Sequence, residues 1–380
     1  MGTVGSVRGT LALHTVHFTE IYAPVVNGVV ASIDALCGGL RSAGVRTSIV
    51  APHLAGETPD ERVLRLPSLP LPTPTPYRLT LPLLEGRRVR DAGIVHAHSP
   101  FVTGSMAAAL ARRRGVPLVF TYHTRFEEYA HYAPFDRAFT RRVLVAVTRR
   151  YANRADAVIV PTAAMEQRLR EIGVRTRIAV IPSGIDAASF AGGRRDAAFR
   201  AGLGAGEDAA VVLAVGRLGI EKDLELVLEA LPYAPGMLLA LVGDGPHRRD
   251  LEAKAASLGL GARVRFLGAV PRAELPRIYA SADVFAFPSA TDTQGLVLAE
   301  AAAAGLPVVA RDTAVAREVL GGRGRFLPRE AAAFGAALAA AARDGRDQSA
   351  AHLALSETTV GVQTRRTLAL YEELLAARND

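Results

Sequence analysis

Short apolar runs alternate with amphipathic stretches along the whole chain. In the first half the runs are LALHTVHF, TSIVAP, GIVHAHS, PLVFTYHT, AVIVPT and IAVIPSG; in the second, AVVLAVGR, LLALVGDG, RVRFLGAV, VFAFPS and PVVAR. Near-continuous Val/Ile/Leu runs of this kind mark strands of a parallel sheet covered on both faces. The intervening segments, such as VASIDALCGGLRSAG and EKDLELVLEALP, space their apolar residues as helices do. The pattern predicts an α/β chain with two Rossmann-like parallel-sheet domains. Its rhythm breaks in DAASFAGGRRDAAF, Asp186 to Phe199, where Gly and Arg intervene. The expected division is therefore an N-terminal domain at 1–187, a second at 188–360 and a C-terminal helix at 361–380. The proline-rich PSLPLPTPTPYRLTLP, Pro67 to Pro82, reads as a surface loop, because proline cannot donate to a sheet ladder.

Length agrees with two cores: 380 residues is long for one. No run of about 20 apolar residues is present to span a bilayer. The opening MGTVGSVRGT lacks the apolar stretch of a secretion signal, and the expected location is cytoplasmic. The single cysteine, Cys37, fits a reducing compartment and reads as core. Charge is uneven. Residues 1–190 carry 23 Arg against 14 acids, a net +9 of the chain's +8, and the remainder carries −1. A basic half suits nucleic acid, an anionic membrane or anionic substrates. Nucleic acid is disfavoured, since zinc-finger spacing and RNP-type aromatics are missing and aromatics make up only 6% of the chain.

Open parallel sheets bind ligands beyond the carboxyl ends of their strands, so candidate chemistry is sought there. In VLAVGRLGIEKDLELVL a buried strand ends at Gly216, Arg217 follows, and Lys222 is expected to open a helix. A fixed guanidinium, an ammonium and a helix start suit a diphosphate. The chain has 45 Lys and Arg, but its only lysines are Lys222 and Lys254, so a lysine kept at a strand end is itself a hint. In TDTQGLVLAEAAAAGLPVVA a helix is expected from about Gln294 to Ala304. The amides of Gly295 and Leu296 would lie at its positive end beside Asp292, and Glu300 about 9 Å along the axis, within reach of a ribose. The alternative for Asp292 is a plain helix cap. In FTEIYAPVVNGVVASI, Gly28 allows close backbone approach at another helix start. His123 follows the strand PLVF in TYHTRFEEYAHY, with Tyr122 and Arg125 beside it, and HAHSPF ends the preceding strand. A strand-end His is either a structural hydrogen-bonder or a site residue. Finally, DRAFTRRVLVAVTRRYANRAD places Arg141, Arg142, Arg149 and Arg150 among Phe139, Val143, Leu144 and Tyr151. Such a surface rests on anionic lipid or is a solvated face.

Together these residues resemble the retaining glycosyltransferases of family 4, with the GT-B fold. FTEIYAPVVNGVVAS, VHAHSPFVTG, IPSGID, GRLGIEKD, LVGDGP, RVRFLG, YASADVFAFPS and TDTQGLVLAEAAAAGLPVV occur in the family's order, and LYEELLAAR resembles its terminal helix. The resemblance implies two domains facing across a cleft, with the terminal helix crossing back to the first. It implies a nucleotide-sugar substrate and a hexosyltransferase needing no cofactor or metal. Arg217 and Lys222 would hold the diphosphate, with Gly28, Gly216, Asp244, Gly295 and Leu296 around the donor. Glu300 would meet the ribose, and His123 the transferred sugar. Asp292 stands where the family's E-x7-E pattern has its first Glu, shorter by one methylene. TYHTRFEEYAHY and TDTQGL most resemble members that glycosylate membrane lipids, notably diacylglycerol glucosyltransferases. That resemblance implies UDP-glucose, a lipid acceptor near Tyr122 and Arg125, and a peripheral place on the inner face of the plasma membrane. A GDP-mannose-dependent transferase acting on phosphatidylinositol is the alternative; a non-catalytic nucleotide-sugar binder is the reading from another class.

Overall fold

The computed structural model describes residues 13–70, 77–83, 86–133, 135–206 and 209–379. The chain divides into two units, residues 1–184 with 360–380 and residues 185–359. The apolar pattern places these divisions at 187/188 and 360/361.

The first unit opens with β1 (His14–Phe18), α1 (Gly28–Ser42), β2 (Arg46–Pro52) and β3 (Val63–Leu66). A short hairpin follows, β4 (Ser68–Pro70) paired antiparallel with β5 (Arg78–Thr80). Then come β6 (Ile94–Ala97), α2 (Val102–Arg114), β7 (Leu118–Thr121) and α3 (Arg137–Ala152). The run ends with β8 (Ala157–Val160), α4 (Ala163–Glu171) and β9 (Ile178–Val180). Seven strands form one parallel sheet in the order β3-β2-β1-β6-β7-β8-β9. Its direction of growth reverses between β1 and β6, so their carboxyl ends flank a crevice. Helix α1 starts where the Asn27 side chain accepts the Val30 amide at 2.9 Å.

The second unit begins with α5 (Ala187–Ala191), α6 (Ala197–Gly202), β10 (Val211–Val215) and α7 (Glu225–Ala230). It continues through β11 (Leu238–Val242), α8 (Arg248–Ser257), β12 (Val264–Gly268), α9 (Leu275–Ser281) and β13 (Val284–Phe287). It closes with α10 (Leu296–Ala303), β14 (Val308–Arg311), α11 (Ala314–Val319), β15 (Arg325–Leu327), α12 (Ala331–Asp344) and α13 (Gln348–Glu357). Its parallel sheet runs β12-β11-β10-β13-β14-β15, with the reversal between β10 and β13. Val212, Leu239, Val284 and Val309 from the sheet pack on Leu226, Leu251, Phe334 and Leu338 from the helices.

The chain then returns to the first unit as α14 (Val360–Asn379). It lies on α1, where a Cβ at Gly39 would come within 1.9 Å of Thr364 Oγ1. Tyr371 of α14 is fully buried, and its hydroxyl meets His96 Nδ1 at 2.6 Å, tying the helix to the sheet.

Four expectations need correction. The proline-rich stretch contains the β4–β5 hairpin, with residues 71–76 outside those described. Edge strands β3 and β15 are not legible in the apolar pattern, because each is short and set among charged residues, with glycines also before β15. Lys222 does not open a helix: it ends a 3-10 turn, Ile220–Lys222, Asp223 adopts φ 50°, and α7 begins at Glu225. Helix α10 starts two residues later than expected, because Gly295 at its N-cap takes φ 62°.

Candidate active site

In the second unit the loops after β10, β11 and β13 converge. Gly216 has φ 149° and Gly243 φ 131°, conformations that favour glycine. A Cβ on Gly243 would stand 1.9 Å from the Gly216 carbonyl oxygen, whereas one on Gly216 meets open space. Leu218 N–H donates to the Asp244 carbonyl at 3.0 Å, and His247 N–H to the Leu218 carbonyl at 2.9 Å. The β10 and β11 loops therefore lock together. Across the reversal point, Thr291 Oγ1 donates to the Glu221 carbonyl at 3.0 Å, joining the β10 and β13 loops. Gly243→Ala is expected to destabilise the protein by about 2–5 kcal/mol through strain and overpacking; the urea midpoint measures this.

The loops bring the predicted charges together. Lys222 Nζ donates to Asp292 Oδ2 at 2.7 Å. The other Asp292 oxygen accepts the amides of Gln294 at 3.1 Å and Gly295 at 2.8 Å. Burial works against the Asp292 carboxylate, but Lys222 and these two amides outweigh it and lower its pKa below the ordinary value. Asp292 therefore holds the loop that leads into α10 and is the partner of Lys222 at once. The N-cap of α10 is Gly295, with no side-chain cap, so Asp292 is not the plain helix cap. Its short side chain turns back onto the helix start, and the Gly295 amide, assigned to phosphate from sequence, is taken by this carboxylate. The Leu296 amide opens the helix itself.

Each remaining cation also has a carboxylate. Arg217 Nη2 donates to the buried Glu221 at 2.5 Å, an i,i+4 pair that holds the guanidinium at the end of β10. Glu300 is buried on α10; it accepts from the Tyr279 hydroxyl at 3.0 Å and pairs with Arg272 at 3.0 Å. Burial raises its pKa, which Arg272 and Tyr279 offset only partly. Asp244 is exposed; it accepts the Gly245 amide at 2.7 Å and lies 3.6 Å from Arg248. Sequence reasoning missed Glu221, Arg272 and Tyr279. Glu221 carried a signal, an acid four residues after Arg217, while Arg272 and Tyr279 reach Glu300 only through tertiary packing.

In the first unit four buried histidines lie at or near the carboxyl ends of β1, β6 and β7: His17, His96, His98 and His123. His123 Nε2 lies 2.8 Å from His98 Nδ1, and His98 Nε2 lies 3.1 Å from His17 Nδ1. His96 is structural, bonded to Tyr371 and, at 2.6 Å, to Thr121. Next to them Glu20 accepts the Thr103 amide of α2 at 2.7 Å and the Thr80 hydroxyl at 3.0 Å. Tyr122 corrects an expectation. It is fully buried, its hydroxyl reaching Glu127 at 3.4 Å, so it offers no surface to an acceptor. Arg125 is bound to Glu128 at 2.6 Å. Gly28 is the exposed first residue of α1.

Helix α3 sorts its residues by face. Phe139, Val143, Ala146 and Arg150 form one exposed stripe at i, i+4, i+7 and i+11, flanked by exposed Arg142 and Arg149. Phe135, just before the helix, is 71% exposed and Phe139 62%. Arg141 points the other way, to Glu128 at 3.3 Å, and Leu144 is half-buried. Tyr151 is buried and donates to the Gly104 carbonyl at 2.9 Å, so neither it nor Arg141 belongs to the stripe. Among the described residues no helix is long and apolar enough to cross a membrane.

Residues 26–189 match the family described as Glycosyltransferase Family 4, and residues 196–351 the one described as Glycosyl transferases group 1. The alpha-monoglucosyldiacylglycerol synthase of Acholeplasma laidlawii is 29% identical over 77% of this chain and 79% of its own length. A GDP-mannose-dependent alpha-mannosyltransferase of Mycobacterium tuberculosis is 32% identical over 79% of each chain. Among solved structures, a sucrose-phosphate synthase from Thermosynechococcus elongatus superposes with TM-score 0.76 at 20% identity, covering 96% of this chain and 100% of that one. Anabaena HepE in complex with UDP-glucose gives TM-score 0.74 at 20% identity, covering 96% of this chain and 100% of that one.

Proposed function

The chain belongs to glycosyltransferase family 4 and has the GT-B fold, and on that premise we propose that it moves a hexose from a nucleotide-sugar to a membrane lipid, with UDP-glucose and diacylglycerol the favoured pair. The observation that carries the reading is the meeting of Arg217, Lys222 and the start of α10 at the β10/β13 reversal. Breaking an anomeric C–O bond leaves positive charge on the sugar and negative charge on the diphosphate. Two fixed cations and the Leu296 amide are placed to stabilise that departing anion. Donor binding then requires Lys222 to divide itself between Asp292 and a phosphate oxygen, while Glu221 keeps Arg217 in place. Glu300 accepts from the ribose, with Tyr279 and Arg272 fixing its carboxyl group. His123 is assigned to the transferred sugar. The proposal includes no divalent cation, because these side chains supply the charge.

The lipid acceptor is supported by the stripe on α3. Aromatic side chains largely open to water and ringed by arginines suit an interface with anionic headgroups, and the glucosyldiacylglycerol synthases among the relatives act on a lipid by name. Replacing Arg142, Arg149 and Arg150 by Gln is expected to weaken binding to phosphatidylserine vesicles by about 10²-fold, at about 1 kcal/mol per charge. Arg141→Gln alone should change it little. Equal binding of triple variant and parent in a sedimentation assay returns the stripe to a solvated face.

Donor preference is read separately, by thermal shift with UDP-glucose and GDP-mannose. A larger stabilisation by UDP-glucose supports the proposed donor. A larger one by GDP-mannose replaces it with the donor of the mannosyltransferase relatives.

A further inference from the structure

Lys222 is carried by a backbone that the local sequence disfavours. The 3-10 turn Ile220–Lys222 ends at Asp223, which has φ 50° and ψ 40°, and α7 begins at Glu225. Among the described residues Asp223 is the only non-glycine with a positive φ. An L side chain crowds the backbone there, so the right-handed form is the default. In that form the turn would run on into α7, because Ile220, Leu224, Val227 and Leu231 recur at i, i+4, i+7 and i+11. The Lys222 ammonium would then leave the place where it meets Asp292. A tertiary contact has to keep the left-handed turn.

Two arginines supply it. Arg329 Nε donates to Asp223 Oδ1 at 3.1 Å and Oδ2 at 3.0 Å, and its Nη2 donates to Oδ1 at 2.9 Å. Arg311 Nη1 donates to Oδ2 at 3.2 Å. Arg311 closes β14 and Arg329 follows β15 by two residues, so both stand at carboxyl ends of the sheet. They are 88 and 106 positions from Asp223 along the chain. A guanidinium fork on a carboxylate fixes its direction as well as its place. Glycine would adopt the left-handed form unaided. Aspartate instead offers a carboxylate by which the far side of the sheet holds the turn.

The residue before Lys222 is held too. The Glu221 carbonyl accepts the hydroxyls of Thr291 at 3.0 Å and Ser289 at 3.4 Å, both from the loop after β13. The neighbours of Lys222 are thus tied to β13, β14 and β15, while the lysine itself follows β10.

We propose that Arg311 and Arg329 are positioning residues for Lys222: by holding the Asp223 carboxylate they keep the left-handed turn that presents the ammonium to Asp292. The proposal rests on the reading of Lys222 as a cation that stabilises the departing diphosphate. The two arginines act through Asp223 and need no contact with the donor.

The test crosses the arginines with residue 223 in the full-length chain. Arg311→Gln combined with Arg329→Gln, and separately Asp223→Ala, should each lower kcat about tenfold with little change in KM for the donor. Asp223→Gly should recover most of what Asp223→Ala loses, because glycine turns left-handed without help. Both arginine substitutions added to Asp223→Gly should then cost nothing further. A second tenfold loss in that background means that the arginines act on the donor directly, and overturns the proposal. Placement is read without activity. The chain's two lysines, Lys222 and Lys254, give two ammonium signals after 15N-lysine labelling, assigned with Lys254→Arg. In the parent the Lys222 ammonium, held against Asp292, should exchange its protons slowly with water. Exchange should become fast in Asp223→Ala and in the arginine double variant, and slow again in Asp223→Gly. Arg329→Gln alone keeps the Arg311 bond and stands in for a double variant that does not fold; it should show the same change in smaller measure. Slow exchange in every folded variant overturns the proposal. The expected exchange pattern with kcat unchanged throughout upholds the hold on the turn and overturns the assignment of Lys222 to the leaving group.

Discussion

Lys222→Ala is expected to lower the transfer rate by about 10²–10³-fold, equivalent to about 2–4 kcal/mol of transition-state stabilisation. The size follows from where the charge acts. The ammonium stands in the loop after β10 against Asp292, at the sheet reversal, where the proposed mechanism puts the leaving diphosphate. The loss should appear in kcat more than in KM, because the diphosphate's charge is greatest as the bond breaks. Folding should survive, since Asp292 keeps the amides of Gln294 and Gly295. Lys222→Arg should not restore the rate, because a guanidinium fork does not match a site built around one oxygen of Asp292. Circular dichroism alongside single-turnover kinetics separates the outcomes. Near-normal turnover in a folded Lys222→Ala protein removes Lys222 from the site.

The second large effect is acid destabilisation. Burial lowers the pKa of His17 to about 3 and those of His96 and His98 well below the ordinary histidine value, while all three titrate near 6.5 once unfolded. Below pH 6.5 the unfolded chain therefore binds protons that the folded chain refuses, so stability falls with pH. The contribution is whole above pH 6.5 and is lost progressively as pH falls toward 3. Each group contributes a slope of about 1.4 kcal/mol per pH unit once pH is well below 6.5, and three contribute about 4. Against a typical total of about 5–15 kcal/mol, two pH units decide whether the protein stays folded. The window from 6.5 to about 5 lies above the titration of unfolded carboxylates, and the buried, raised carboxyls of Glu20 and Glu300 act in the opposite sense to these histidines. Urea midpoints at stepped pH measure the slope, and His96→Gln should reduce it by about a third. A flat stability down to pH 5 contradicts the account of these buried rings.

Both effects arise at strand ends, and strand ends were the most legible part of the chain. Apolar runs closing in Gly216, Gly243 and the HAHSPF segment announced parallel strands with loops of special conformation. Both sheets follow from that pattern. Edge strands β3 and β15 escaped because three or four residues among charges give too little periodicity. At the site, the residues that meet were named but their partners were not. Lys222 and Asp292 are 70 positions apart, and only folding shows that each answers the other's charge. Tyr122 is instructive in another way. It adjoins His123 just past β7, and successive side chains of an extended chain face opposite ways. With His123 aimed at the histidine series, Tyr122 turns toward Glu127. Period-two alternation alone argued against assigning both to one surface. On α3 the same reasoning at 100° per residue separates Arg141 from Arg142, Arg149 and Arg150.

The central claim is hexosyl transfer to a lipid, with side-chain cations stabilising the leaving group. Its most direct measurement is transfer of labelled glucose from UDP-glucose to diacylglycerol in anionic vesicles, with GDP-mannose in parallel and each donor assayed with and without a chelator. The account predicts glucolipid with the donor's anomeric configuration, formed equally with and without chelator. Glycolipid formed from neither donor, with both nucleotide-sugars left intact, would contradict it.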